Sequence, residues 1–149
     1  MSDSNVAIQR LTDELEILNL MNRFAMLNDV GDLDEYIACW TEDARAELRK
    51  GTPLQGRAEI RAGFGELRAA GVSGPGTHRR HVNTTQVVRF DGPDSATCEY
   101  YSLLFVADPT RSPAGTPVTP PVTRNLTHSR TVLQRTPDGW KVKETQTVS

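Results

Sequence analysis

Apolar residues recur every three or four positions near the start of the chain, which predicts a long amphipathic helix from about residue 5 to residue 29. The predicted apolar face carries five residues at this spacing: Ile8, Leu11, Leu15, Leu18 and Ala25. Asn22 and Asp29 fall on the same face. The eleven residues from Leu18 to Asp29, for example, bring the direction of a helix back to within about 20°. A carboxylate in a core-facing position is costly unless it is paired or hydrated. We therefore expect Asp29 to have a partner or to face a wet cavity.

Two shorter helices are expected after the first one. Gly31 can supply a left-handed turn, and Asp32 is placed to cap the second helix. The buried side of this helix is predicted to carry Leu33, Tyr36, Ile37 and Trp40. A short strand at 44–48 and a turn-rich link at 50–56 precede a third helix at 57–70.

After a loop at 71–76 the apolar period changes from 3.6 to 2, which is typical of strands. Four long strands are predicted, at 78–90, 95–107, 123–135 and 140–148. The segment 108–121 holds five prolines and is expected to be a loop. Three helices followed by an antiparallel meander indicate an α+β fold in one domain over residues 1–149. The simplest packing curls the sheet around the long helix into a cone, whose open end is the expected pocket.

Composition and charge narrow the function classes. A net charge of −2 gives no electrostatic case for nucleic acid or an anionic membrane. No apolar run reaches the length of a membrane span, and no secretion signal is readable, so a cytoplasmic protein is expected. Cys39 and Cys98 lie in apolar segments and are interpreted as buried hydrophobes. No phosphate loop, nucleophile elbow or metal motif is present. Acid–base chemistry without a cofactor or metal, or plain binding, remains.

His81 is the main candidate for such chemistry. Strand alternation puts His81, Asn83 and Thr85 on one face of the first long strand, and neither face is cleanly apolar. One interpretation is a hydrogen-bonded or exposed histidine without a catalytic role. The other is that His81 meets Asp29 inside the cone, where the carboxylate would fix the imidazole tautomer and make it a better general base.

Other polar residues leave alternatives open. Tyr101 could donate a proton to a substrate carbonyl, although core packing is the simpler use of a tyrosine in a strand. Arg130 shares a face with His128 and could reach an anion or a leaving oxygen, but a solvated outer face is the simpler expectation. Glu99 and Glu144 have no partner that the sequence reveals, and His78 is expected to be exposed.

Four segments together cover nearly the whole chain and carry a family resemblance: ILNLMNRFAMLNDVGDLDEYIACWTEDA, PLQGRAEIRAGF, RRHVNTTQV and PDGWKVKE. In order and spacing they resemble the NTF2-like superfamily in its SnoaL-like branch. The resemblance implies a cone-shaped α+β barrel, with about three N-terminal helices packed in a curved, mainly antiparallel sheet. Dehydratases and dehydrochlorinases of this superfamily use an Asp–His pair without a cofactor, and the pair matches Asp29 and His81. The dehydratases have a tyrosine where this chain has Asn28.

The expected function is therefore a cofactor-independent lyase of the dehydratase kind, or an isomerase, acting on a small apolar, cyclic substrate. Asp29 and His81 are the expected catalytic residues. Side chains expected to contact substrate are Asn28, Asn83, Tyr101, Arg130 and Trp40. In an isomerase Asp29 itself would be the base. The alternatives are polyketide-type ring closure, or a non-catalytic binding or assembly module with a vestigial pocket. The apolar strand faces predict a homodimer or homotrimer.

Overall fold

The computed structural model describes residues 2–49 and 51–149. Three helices and six strands follow one another in these residues, with one strand of ten residues and one of four inserted before the third helix. Their order is α1 (Asp3–Val30), α2 (Leu33–Ala38), β1 (Trp40–Arg49), β2 (Thr52–Gln55), α3 (Arg57–Ala69), β3 (Arg79–Phe90), β4 (Ser95–Val106), β5 (Val122–Thr136) and β6 (Gly139–Thr147). The α+β class and the N-terminal helices predicted from the sequence are confirmed.

The strands form one sheet in the order β2-β1-β6-β5-β4-β3. Neighbouring strands are antiparallel except β1 and β6, which pair in parallel. The chain therefore makes an uninterrupted antiparallel meander from β3 to β6, and β1 with its short partner β2 extends the sheet beyond β6. Helix α1 packs against β6, in the middle of this order, and against β3, at its end, so this half of the sheet curves around the helix.

The buried face of α1 differs from the predicted one. Its buried residues are Asp13, Ile17, Leu20, Met21, Phe24 and Asp29. Ile8, Leu11 and Leu15, which the sequence placed in the core, are exposed by 61%, 68% and 61%. Helix α1 has apolar residues on two faces, and the periodicity alone does not select between them. The prediction for Asp29 still holds, because β3 covers this side of α1 toward its C-terminal end.

The core places four aromatic rings beside the C-terminal half of α1. Phe24, Tyr36, Trp40 and Phe64 come from α1, α2, β1 and α3, and their ring centroids lie 4.8–6.1 Å apart. The sequence predicted Trp40 on the buried side of α2, but in the structure this residue begins strand β1. This cluster joins all three helices to the sheet, as offset and edge-on aromatic pairs do in other cores. It fixes the position of the helix end that carries Asp29.

Three further sequence expectations can be compared with the structure. The link at 50–56 contains strand β2, which pairs with β1 as a short edge strand. Cys39 and Cys98 are buried free thiols, as expected. In β3 the pairing register shifts between Thr84 and Val87, and Thr85 has a positive φ of 56°. This β-bulge interrupts the alternation, so Thr85 lies on the outer face of the sheet and not beside His81.

The outer face of the sheet exposes several large apolar side chains, among them Val87, Tyr101 and Leu126. This exposure is compatible with the expected homodimer or homotrimer, which stays a prediction. None of the helices in the described residues combines the length and the apolar character that a bilayer span requires.

Candidate active site

Asp29 and His81 form a two-point contact between α1 and β3. Oδ1 of Asp29 lies 2.6 Å from Nδ1 of His81, and Oδ2 accepts the backbone N–H of His81 at 2.6 Å. The Asp29 side chain is 6% exposed and the His81 side chain 33% exposed. The carboxylate that the sequence placed in the core is thus satisfied by two donors of a single residue, and its burial no longer lacks a partner.

The contact with Asp29 defines the state of the His81 ring. A carboxylate beside Nδ1 accepts a hydrogen bond from the N–H of that nitrogen, so the neutral ring carries its proton on Nδ1 and its lone pair on Nε2. Among residues 2–49 and 51–149, no group hydrogen-bonds Nε2 of His81. This nitrogen is therefore available to accept a proton from a bound molecule, while Asp29 stabilises the imidazolium that forms.

Helix α1 ends next to this pair because of two local features. The guanidinium of Arg68, from α3, donates to the backbone oxygens of Leu27 and Gly31 at 2.9 and 2.8 Å. It supplies the cation that the last turn of α1 lacks, adds a second donor to the Leu27 carbonyl, which also accepts the Gly31 N–H, and pairs the Gly31 carbonyl. Gly31 does not adopt the predicted left-handed turn, since its φ is −91°. A Cβ there would instead lie 2.5–2.7 Å from Leu27, so the glycine is required for space.

The Asp29–His81 pair lies in the wall of a cavity of about 290 Å³, here called the dyad cavity. It is enclosed by the end of α1, helix α3, the loop after α3, and the starts or ends of three strands. Its lining residues are Asn28, Asp29, Glu47, Leu48, Phe64, Leu67, Val72, Ser73, Thr77, Arg79, His81 and Leu104. Apolar walls with a few convergent polar groups are the usual character of a small-molecule site.

Two polar atoms of this wall are buried without a hydrogen-bond partner among the described residues. They are Oδ1 of Asn28 and Oγ of Ser73. Buried polar atoms nearly always have a hydrogen-bond partner, so two unpartnered oxygens in one cavity wall mark a place where a ligand or water completes the bonding. The loop that carries Ser73 is held at the cavity by Arg79, whose Nη1 donates to the backbone oxygen of Val72 at 2.6 Å.

The other residues expected to contact substrate lie elsewhere. Trp40 is 1% exposed within the aromatic core. Asn83 is on the same strand as His81 but does not line the dyad cavity. Tyr101 and Arg130 are on the outer face of the sheet, so neither reaches Asp29 or His81. Of the five expected substrate contacts, only Asn28 is brought to the pair.

A second cavity of about 290 Å³ opens on the outer face of the sheet, beside Tyr101 and His128. Glu99, which had no readable partner in the sequence, accepts hydrogen bonds here from His128 at 3.0 Å and from Arg130 at 3.1 Å. The hydrogen bond from His128, followed by that from Arg130, lowers the pKa of Glu99. Nε2 of His128 is occupied by Glu99, whereas Nε2 of His81 is open, so the dyad cavity is the better candidate for proton transfer.

Sequence reasoning did not identify Ser73, Thr77 and Arg79 as cavity residues. They come from the loop after α3 and from the first residue of β3, where hydrophobic periodicity gives no orientation. Among residues 2–49 and 51–149, no three His, Cys, Asp or Glu side chains gather in one place as metal ligands do.

Comparisons with known proteins agree with this architecture. The SnoaL-like domain family matches residues 9–146. An NTF2-like protein with a cystatin-like fold from Novosphingobium aromaticivorans is 24% identical, with a TM-score of 0.75 over 98% of this chain and 88% of that chain. No curated protein matches the sequence.

Two further solved structures have names that suggest an activity. A protein of the same organism, provisionally named an aromatic ring hydroxylase, is 26% identical with a TM-score of 0.67, over 92% of this chain and 88% of that chain. A Streptomyces avermitilis protein, provisionally named a dehydratase of the NTF2-like family, is 20% identical with a TM-score of 0.71, over 91% and 95%. The fold is therefore that of the NTF2-like proteins. Within it, the chain belongs to the SnoaL-like domain family.

Proposed function

We propose that this protein is a cofactor-independent lyase of the dehydratase kind, which eliminates water from a small, apolar, cyclic hydroxy-carbonyl compound. The observation that carries the proposal is the His81 ring, held by Asp29 through Nδ1 and open at Nε2 beside a cavity. A general base needs this combination of a fixed tautomer and a free nitrogen within reach of substrate.

The proposed reaction begins when Nε2 of His81 takes a proton from the carbon next to the substrate carbonyl. The electron pair of the broken C–H bond forms the new C=C bond, and the bond from the neighbouring carbon to the hydroxyl group breaks. The imidazolium returns its proton to the departing hydroxide, so water leaves and His81 is neutral again. Asp29 remains ionised throughout and stabilises the positively charged ring. In this reaction Oγ of Ser73 would donate to the substrate carbonyl oxygen, and Oδ1 of Asn28 would accept from the substrate hydroxyl group.

Two alternatives are less well supported by this geometry. An isomerase in which Asp29 is the base needs a free carboxylate oxygen, but both oxygens of Asp29 accept hydrogen bonds from His81. A non-catalytic module with a vestigial pocket predicts a separated pair or a filled cone. The 2.6 Å contact and the open dyad cavity do not fit that prediction.

The test starts with a heat-shift screen of small cyclic alcohols, ketones and halides, since a ligand that binds the native state raises the melting temperature. Hydroxy ketones that bind are then assayed for the ultraviolet absorption of a conjugated product. Replacing His81 by alanine should lower the turnover number by about 10²–10⁴-fold, the usual contribution of general acid–base catalysis. His78→Ala, which changes an exposed histidine three residues away, is the matched control. Full activity of His81→Ala would exclude the proposed base, and ring closure as the observed product would replace elimination.

A further inference from the structure

A larger apolar cavity adjoins the dyad cavity. It measures about 540 Å³ and lies between α3 and the β1–β2 hairpin. We call it the α3 cleft, and its lining residues are Leu48, Thr52, Leu54, Gly63, Glu66, Leu67, Ala70 and Val72. Leu48, Leu67 and Val72 also line the dyad cavity. The two spaces are therefore neighbours that share the same three apolar side chains as a wall.

The walls of the α3 cleft are suited to a hydrocarbon group. Leu48, Leu54 and Leu67 are only partly buried, although each packs against the core on one side. Glu66 is the one charged residue of the described lining, and it is exposed. A space lined by leucine and valine side chains offers water few hydrogen-bond partners, and filling it with apolar atoms is favourable.

Gly63 lets Leu54 and Leu48 pack directly against α3, at a cost to the helix. Glycine inside a helix is less favourable than alanine by about 0.5–1 kcal/mol. A Cβ at position 63 would lie 2.5 Å from Cδ1 of Leu54 and 3.2 Å from Cδ1 of Leu48. Any larger residue would push these two leucines away from α3 and alter the cleft. Gly65, two residues further, has only an ordinary contact of 3.8 Å to Leu33.

We propose that the α3 cleft binds an alkyl or aryl substituent of the substrate whose reacting carbon lies at His81. The inference rests on the proposed function, because it takes the dyad cavity as the place of the reacting group. Adjacency points to this occupant: Leu48, Leu67 and Val72 border both spaces, so a substituent that extends past these side chains from a substrate in the dyad cavity would lie in the cleft. The substrate is then an elongated molecule with one polar, reacting end and one apolar end.

The experiment measures binding and not turnover, with cyclohexanone and its 4-methyl, 4-ethyl, 4-propyl and 4-butyl derivatives as probes in calorimetric titrations. In the wild-type protein, affinity should rise about fourfold for each methylene that the cleft buries. In Gly63→Ala this gain should be lost, while cyclohexanone itself binds as in the wild type. Gly65→Ala makes the same chemical change on the same helix and should keep the full gain.

A second pair of variants covers the case in which Gly63→Ala does not fold. Ala70→Leu places a larger side chain in the cleft from an exposed position. Ala69→Leu, the control, makes the same change at an exposed residue outside the lining. Only the first should abolish the chain-length gain. Binding of all ketones with equal affinity would overturn the cleft proposal and leave the proposed reaction standing. Failure of every ketone to bind would overturn both the cleft and the carbonyl substrate class.

Discussion

Asp29→Asn keeps the size of the side chain and removes its charge, so it separates the electrostatic role of Asp29 from its packing. In the wild-type protein, Oδ1 contacts Nδ1 of His81 and Oδ2 accepts the backbone N–H of the same residue. An asparagine that keeps the backbone bond must turn its NH₂ group toward Nδ1. Nδ1 then becomes an acceptor, and the ring proton moves to Nε2. The nitrogen that faces the cavity can no longer take a proton from substrate.

The expected loss follows from that change of tautomer. General-base assistance contributes about 10²–10⁴-fold, and the same substitution in a Ser-His-Asp triad costs about 10⁴-fold. We therefore expect the turnover number of Asp29→Asn to fall by about 10³–10⁴-fold, which is about 4–5 kcal/mol of activation free energy. Two assays follow the reasoning: the rate of conjugated-product formation, and ¹⁵N chemical shifts of the His81 ring, which report which nitrogen carries the proton.

The control is Asp34→Asn, which changes a carboxylate on the exposed side of α2 where the ion pair with Arg61 contributes little. It should retain wild-type turnover and the wild-type ring shifts of His81. The reasoning is refuted if Asp29→Asn is fully active. It is also refuted if the His81 proton stays on Nδ1 in this variant while activity is lost, because the loss would then have another cause.

Three further predictions concern stability and reactivity. Arg68→Met should lower the free energy of unfolding by about 1–3 kcal/mol, because the Gly31 carbonyl loses its donor and the Leu27 carbonyl keeps only the Gly31 N–H. It should also slow turnover; urea unfolding and the product assay measure the two effects. Asp13→Asn should cost about 2–4 kcal/mol at pH 7, somewhat less than breaking a wholly buried pair, because its partner Arg135 is 31% exposed. Hydrogen bonds from Arg135 lower the pKa of Asp13 against the opposing effect of burial. The stabilisation by this pair is therefore present above the unfolded pKa of about 3.9 and is lost as the pH falls through the lower folded pKa. If the advantage of the wild type over Asp13→Asn in urea unfolding grew below about pH 4, this prediction would be contradicted. Burial raises the pKa of the Cys98 thiol to about 11, so iodoacetamide at pH 8 should modify it, by mass spectrometry, only after urea unfolding.

The Asp29–His81 pair could be anticipated because one local pattern required a polar partner and another offered one. A carboxylate at a covered position of α1 needs a partner, and β3 is a strand with polar residues on both faces. Strand positions and the α+β class followed from the change of period at residue 77, which is a property of the sequence alone. The family resemblance joined the two residues before any distance was known.

The buried face of α1 and most of the substrate contacts could not be read in the same way. Asp13 interrupts the apolar face that is buried, and its partners Arg135 and Trp140 come more than 120 residues later. Ser73 and Arg79 reach the cavity through a loop whose path depends on α3 and β3 together. Tyr101 and Arg130 illustrate the converse problem, because strand alternation gives two faces and does not say which one is inside.

The environment of Asp29 determines which group can act as the base. A buried carboxylate of this kind could have been the base itself, provided that one oxygen remained free toward the cavity. Instead, both oxygens bond to His81, a residue 52 positions away in the chain, and the pair thereby joins α1 to β3. The interactions that make the burial of Asp29 tolerable also fix the ring and leave Nε2 free. In the proposed reaction Asp29 consequently acts through His81, and the substrate presents its proton to the imidazole.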